Sequence, residues 1–255
     1  MIKDIKGTQD FELTEEKLVP FIWLRQNRQE EIINLEPSMS ATDINNIIEN
    51  LSKRDIPSSK TLIFQFVDGT YNFDDFIRFY DFRGAGRLYI QGNTSDAQTA
   101  NSNQKVMLNF TSNYRRGIIL YSINVNYCEF KYLRINKQNT GSTNLDENCS
   151  LRLSSNTAKL KILYNYFNLE NNNYGACIYA TQTEAEITAC MFNRGYYGLC
   201  AAYSSHIRLA NSPSDNPSAY GIYQYNNGNI SKAGSPYPFG TVANERYGLG
   251  TGGIA

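Results

Sequence analysis

This 255-residue chain contains no run approaching the roughly 18 apolar residues that a membrane-spanning helix requires. It has no net charge either. Its 24 basic and 24 acidic residues cancel, so no overall field points to nucleic acid or to an anionic bilayer. The opening MIKDIKGTQDFEL is too polar for a secretory signal. The five cysteines are odd in number and lack CxxC or CxxH spacing, which argues against a disulfide framework and a zinc site. They are expected to be reduced, mostly buried small apolar residues. No P-loop, GxSxG or HExxH motif is present, and no cofactor or metal is expected.

The most informative absence is proline, which does not occur between Pro57 and Pro213. Proline removes a ladder hydrogen bond and is excluded from central strands, so this gap fits near-continuous sheet. Asparagine and tyrosine are abundant instead, at 30 and 19 residues, and they suit turns and strands respectively. Alternating segments follow one another: TLIFQFVDGTYNF with a turn at Asp68-Gly69, then RLYIQGN, KVMLNF, GIILYSINVNYCEFKYLRIN, SLRLS and LKILYNYFN.

The first 56 residues differ in texture, with 7 basic and 11 acidic residues. TDINNIIENLSKRD places Ile44, Ile47, Ile48 and Leu51 on one helical face, with Ser40 or Thr42 available as N-cap and Asp43 in the first turn. The earlier TEEKLVPFIWLRQNRQEEII is also expected to be helical, with Pro20 either breaking or starting the helix. Three regions result: 1–56, helical and capping; 57–233, sheet; 234–255, a Gly/Pro-rich exit or linker.

A repeat runs through the sheet region. Tyr174-Gly175-Ala176-Cys177 returns as Tyr197-Gly198-Leu199-Cys200 and as Tyr220-Gly221-Ile222-Tyr223, and Phe167-Asn168 returns as Phe192-Asn193. An interval of 20–25 residues with short strands is the signature of a solenoid. A parallel β-helix of about 23 residues per coil is expected, with residues 60–233 forming a rod about 35–40 Å long at ~4.8 Å per coil. The glycines should permit bends. Cys177, Cys200 and Tyr223 should stack in one column, Phe130, Phe167 and Phe192 in another, and asparagines at corners should form hydrogen-bonded ladders. A β-sandwich with accidental internal similarity is the competing reading. The helix would cover the open end of the coil, where unpaired strand edges invite aggregation.

The helix INNIIENLSKRD, a strand ending in Asp68-Gly69-Thr70-Tyr71, then GRLYIQGN, together resemble the start of right-handed parallel β-helices of the pectate-lyase-like superfamily. The resemblance is greatest to the tail-fibre and tailspike proteins of bacteriophages and prophages. YGIYQYNNGNISKAGSPYPFG is similar to a final coil running into an exit in such proteins. The likeness covers roughly residues 40–240. It implies a homotrimer that works beside other tail proteins, located in the virion tail after synthesis in the bacterial cytoplasm. Its partner would be a polysaccharide or receptor of the host surface, with no nucleic acid and no membrane insertion. The closing GGIA is the kind of finish expected of a fragment of a longer fibre.

Stacking Ile162, Ile187, Ile207 and Ile230 inward gives an outward column Lys161, Glu186, His206, Asn229. Glu184 shares that face and Arg208 flanks His206. Glu184, Glu186, His206 and Arg208 are therefore the catalytic candidates, an acid/base set on one wall. The plain alternative is a group of solvated cross-strand pairs. Depolymerases on this fold cut glycosides with paired carboxylates about 5–10 Å apart, whereas the calcium-binding carboxylates of pectate lyases are not recognisable here. Tyr196, Tyr197, Tyr203 and Tyr223 are the glycan-binding candidates, within a segment holding 12 of the 19 tyrosines. The alternative is that they fill strand positions and trimer contacts. The expectation is a non-enzymatic tail component that binds the host surface. A tailspike depolymerase, whether glycosidase or lyase, is the alternative, and a bacterial surface adhesin comes third.

Overall fold

The computed structural model describes residues 29–96, 103–111, 116–138, 144–145, 147–170 and 174–248. These form twenty strands, numbered β1–β20 in chain order, and one helix, α1. Nearly all of the segment read from the sequence as an early helix lies outside the described residues. Its last residues are a correction: Glu30–Leu35 is strand β1, paired in parallel with β2 (Thr61–Phe66). β-Branched Ile32 and Ile33 suit an extended chain, and the ladder supplies the hydrogen bonds a helix would otherwise provide.

Helix α1 spans Ala41–Ser52. Ser40 is its N-cap: the Asp43 amide donates to Ser40 Oγ at 3.1 Å, and the Ser40 amide donates to Asp43 Oδ2 at 3.0 Å. Ile44, Ile48 and Leu51 enter the main core, with Ile47 packed at its margin.

The strands form three parallel sheets, a mainly β architecture consistent with a solenoid. The first sheet has the order β1, β2, β5 (Arg83–Gln91), β8 (Asn124–Lys131), β11 (Lys159–Leu163), β14 (Glu184–Thr188), β17 (His206–Ala210), β19 (Asn229–Lys232). The second comprises β3 (Gly69–Phe73), β6 (Val106–Phe110), β9 (Arg134–Lys137), β12 (Tyr166–Leu169) and β15 (Met191–Arg194). The third runs β4 (Ile77–Tyr80), β7 (Ile118–Tyr121), β10 (Cys149–Ser154), β13 (Ala176–Thr181), β16 (Tyr197–Ala202), β18 (Ser218–Gln224), β20 (Gly240–Tyr247). From β2 to β17 the chain visits the three sheets in turn, each strand pairing with its successor one winding later, and beyond β17 it alternates between the third sheet and the first. The segment read as an exit or linker therefore contributes β20, which pairs with β18.

Residue type decides which face turns inward. In β12, Phe167 and Leu169 enter the core while Asn168 points out, and the same alternation holds along the other strands. Two stacked corners link the sheets. Asp81, Ser122, Ser155, Gln182 and Tyr203 follow third-sheet strands with φ between 48° and 55°. Tyr132, Tyr164, Ala189 and Asn211 play the same part after first-sheet strands. Six of the nine corner amides continue a ladder, those of Asp81, Ser122, Ser155, Tyr164, Gln182 and Ala189, as Ser122 N donating to Ser154 O at 3.1 Å does, which offsets the cost of their left-handed backbone.

The bends are thus made by residues other than the repeated glycines. Gly198 and Gly221 permit close approach instead: a Cβ on Gly221 would lie 2.2 Å from the Pro238 carbonyl oxygen. Two expected columns are also corrected. Tyr179, not Cys177, pairs with Cys200, which does pair with Tyr223. Phe167 stacks on Phe192 with centroids 6.0 Å apart, but Phe130 belongs to the first sheet and pairs with Ile162. All five cysteines are buried, and none forms a disulfide among the described residues. Burial pushes the thiols of Cys177 and Cys190 up to about 12.

Candidate functional site

The outward face of the first sheet carries two adjacent columns. In one, Glu129, Lys161, Glu186 and Arg208 succeed one another across β8, β11, β14 and β17, so charge alternates at every step. In the other, Tyr127 pairs with Lys159, and Glu184, His206 and Asn229 are consecutive partners across β14, β17 and β19. The register differs from the expected column by two residues, because Glu186 faces Arg208 and Glu184 faces His206. Shifting by two keeps every side chain on its face but exchanges its neighbours.

An open groove of about 620 Å³ lies over this surface, lined by Lys159, Lys161, Glu184, Glu186, His206 and Arg208 among others. All four catalytic candidates are therefore together. Glu186 Oε2 lies 3.9 Å from Lys161 Nζ, and Glu186 Oε1 lies 3.9 Å from Arg208 Nη1. Glu184 and Glu186 share a face two residues apart, a step of about 6.6 Å along a strand. That spacing suits a carboxylate pair. Glu186, however, is already engaged by a cation on each side. Lys159, Glu184, His206 and Asn229 make no side-chain hydrogen bond or ion pair among the described residues. One column is self-neutralised, and the column beside it is free to engage a ligand.

A further charged cluster, on β8 in the middle of this sheet, is not singled out by the sequence. Glu129 accepts from Tyr127 OH at 2.5 Å and pairs with Lys131 Nζ at 2.5 Å. Burial works to raise the Glu129 carboxyl, but the hydrogen bonds from Lys131 and Tyr127 outweigh it and the net shift is downward. Its alternation within NYCEFK is the only sequence signal, and it is shared by every strand here.

The four tyrosine candidates do not form one platform. Tyr197 is 1% exposed, lying against Tyr223 with centroids 4.5 Å apart and within 3.0 Å of Arg246 Nη1 through its hydroxyl. Tyr223 stacks on Tyr225 as well, at 5.0 Å. Tyr203 is 50% exposed but sits at the opposite end of β16 from Tyr196. Most of these rings bury one another on the outside of the third sheet, together with Cys149, Tyr179 and Cys200. Stacking tyrosine on tyrosine is a packing solution for that face.

An asparagine ladder does form, on the second sheet rather than at a corner. Each Nδ2 donates to the preceding Oδ1: Asn109 to Asn72 at 3.0 Å, Asn136 to Asn109 at 2.8 Å, and Asn168 to Asn136 at 3.3 Å. Asn193 to Asn168 and Asn216 to Asn193, both at 2.7 Å, complete it. On the inner side of the same sheet lies an unexpected residue: Lys137 is fully buried between Phe110 and Leu169.

Among the described residues, no group of histidine, cysteine, aspartate and glutamate could hold a metal ion, and no helix is long and apolar enough to cross a membrane. Comparison with known protein families, curated proteins and solved structures returned no match.

Proposed function

We propose that the chain is a right-handed parallel β-helix, closed at one end by α1, that acts as a surface-binding rod of a phage or prophage tail. The cap reading is supported by Asn45, which treats an edge strand as a partner strand would. Its Nδ2 donates to Phe76 O at 2.9 Å and its Oδ1 accepts from Arg78 N at 2.9 Å. The edge of β4 is thereby satisfied and shielded.

The observation that carries the binding reading is the groove on the first sheet. Its unengaged row of Lys159, Glu184, His206 and Asn229 runs from one winding to the next, offering donors, acceptors and both charges to an extended polar chain. A bacterial surface polysaccharide has that chemistry. Three such rods side by side, held among other tail proteins in the virion, would present three grooves to one envelope.

The test is direct. The chain is mixed with capsule or lipopolysaccharide glycan from candidate hosts, and both binding and new reducing ends are followed. Retention of the glycan, weakened at least tenfold in Lys159→Ala/His206→Ala, supports the binding reading. Release of oligosaccharide would sink it in favour of a depolymerase, the second reading, which the placement of Glu184 and Glu186 on one face favours. In that case Glu184→Gln or Glu186→Gln abolishes release. Light scattering of the purified chain checks the trimer.

A further inference from the structure

The ladder on the second sheet has a property that its structural role does not use. Each amide of Asn109, Asn136, Asn168 and Asn193 gives one N–H to the preceding asparagine. An amide nitrogen carries two. The second N–H of each has no partner among the described residues, which leaves a row of neutral donors repeating at about 4.8 Å, the spacing of successive strands. The side chains are only partly covered, apart from Asn193, which is 8% exposed.

A second row follows the same windings at the start of the third-sheet strands, with Tyr174 and Tyr196 just before β13 and β16 and Tyr220 within β18. Tyr174 and Tyr196 have centroids 5.4 Å apart and an interplanar angle of 32°, and Tyr196 and Tyr220 are also 5.4 Å apart, at 65°. The rings are tilted against one another rather than stacked face to face, and what repeats along the row is a phenol hydroxyl. All three rings are half-buried, and their hydroxyls make no hydrogen bond among the described residues. Charges border this face. Arg134 Nε donates to Asn136 Oδ1 at 3.3 Å and its guanidinium lies 5.3 Å over Tyr166, Tyr166 OH donates to Asp215 at 2.9 Å, Arg246 lies 4.8 Å over Tyr220 and donates to Tyr197 OH, and exposed Arg194 follows Asn193.

We propose that this amide ladder, with the phenol row Tyr174–Tyr196–Tyr220 beside it, is a second docking face, and that its ligand is an uncharged linear glycan lying along the stacking direction. The amides and phenols that repeat along the windings are themselves neutral, and unengaged donors and hydroxyls at a fixed step complement a neutral chain of hydroxyls, whereas the bordering Arg134 and Arg194 do not repeat with them. The site deepens the surface-binding reading and is distinct from the charged groove on the first sheet.

The experiment uses the whole chain with cellohexaose, maltohexaose and chitohexaose as neutral probes and an oligogalacturonate as the anionic one, followed by calorimetry and saturation-transfer NMR. The variant Tyr174→Phe/Tyr196→Phe/Tyr220→Phe removes three hydroxyls and keeps the rings, so the fold is retained. At least one neutral hexamer is expected to bind, at least tenfold more weakly to this variant and equally well to Lys159→Ala/His206→Ala. Binding of the neutral hexamer that is unchanged in the triple variant overturns the proposal. So does binding of the anionic probe alone, lost in the groove variant, which leaves the general reading standing. Failure of every probe and of native host glycan removes both. Conversion of an oligomer to a monomer by Tyr196→Arg would assign this face to a second copy of the chain and also overturn the proposal.

Discussion

Replacing Lys137 by methionine should stabilise the protein at neutral pH. The residue lies at 0% exposure in the inward column Phe110–Lys137–Leu169, where its ammonium donates to the Gln138 carbonyl. Burial lowers its pKa from 10.5 to about 8, with Cys149 and Glu170 opposing the drop. At about 1.4 kcal/mol per pH unit, that corresponds to a charge-burial cost of about 3 kcal/mol. Losing the ammonium's interactions, the charge-assisted bond to Gln138 among them, offsets about 1.5–2 kcal/mol of that. The net gain expected for Lys137→Met is about 1 kcal/mol at pH 7, since methionine fills a similar volume without a charge. The direction with pH follows from linkage. Below about pH 8 the ammonium is protonated in both states and the folded state bears the whole cost. Between about 8 and 10.5 the unfolded chain holds more protons, so stability rises with pH, and above 10.5 the cost is gone. Urea unfolding of both proteins at pH 7 and pH 10, followed by far-UV circular dichroism, measures this. The advantage of the methionine variant should shrink by more than half at the higher pH. A variant that is less stable at pH 7, or whose advantage is the same at both values, refutes the reasoning.

Three further outcomes test the architecture. Asn45→Ala leaves Arg78 N–H and Phe76 C=O without their partners and should cost about 1–3 kcal/mol, read as a lower urea midpoint. Phe167→Ala opens a cavity beneath Phe192 and should cost about 3–5 kcal/mol, whereas a residue facing solvent would cost under 1. The five buried thiols should resist Ellman's reagent in the native protein and react together on unfolding; fast labelling of Cys200 would mean that the tyrosine cover is open.

Much of the fold is legible in the residues because the inward and outward faces of a strand differ by a single step. TLIFQF, KVMLNF and LKILYNYFN can be read as strands with assigned faces, and Ser40 to Leu51 as a capped amphipathic helix, without knowing any contact. The charged wall of Glu184, Glu186, His206 and Arg208 is visible for the same reason. Lys137 is not, since RINK looks like an ordinary solvated strand end.

What the chain's own pattern determined is therefore secondary structure, face and the existence of a repeat. Only the tertiary structure decided who stands beside whom. The step between partners is not constant: Ala176 pairs with Tyr197, 21 residues on, and Tyr197 with Tyr220, 23 residues on, while Leu88 and Cys128 are 40 apart. A slip of two residues preserves the burial of every apolar side chain, so hydrophobic patterning cannot detect it. Corner geometry and core packing between windings settle the register, and with it the pairing of Glu186 with Arg208 and the continuous run of the asparagine ladder.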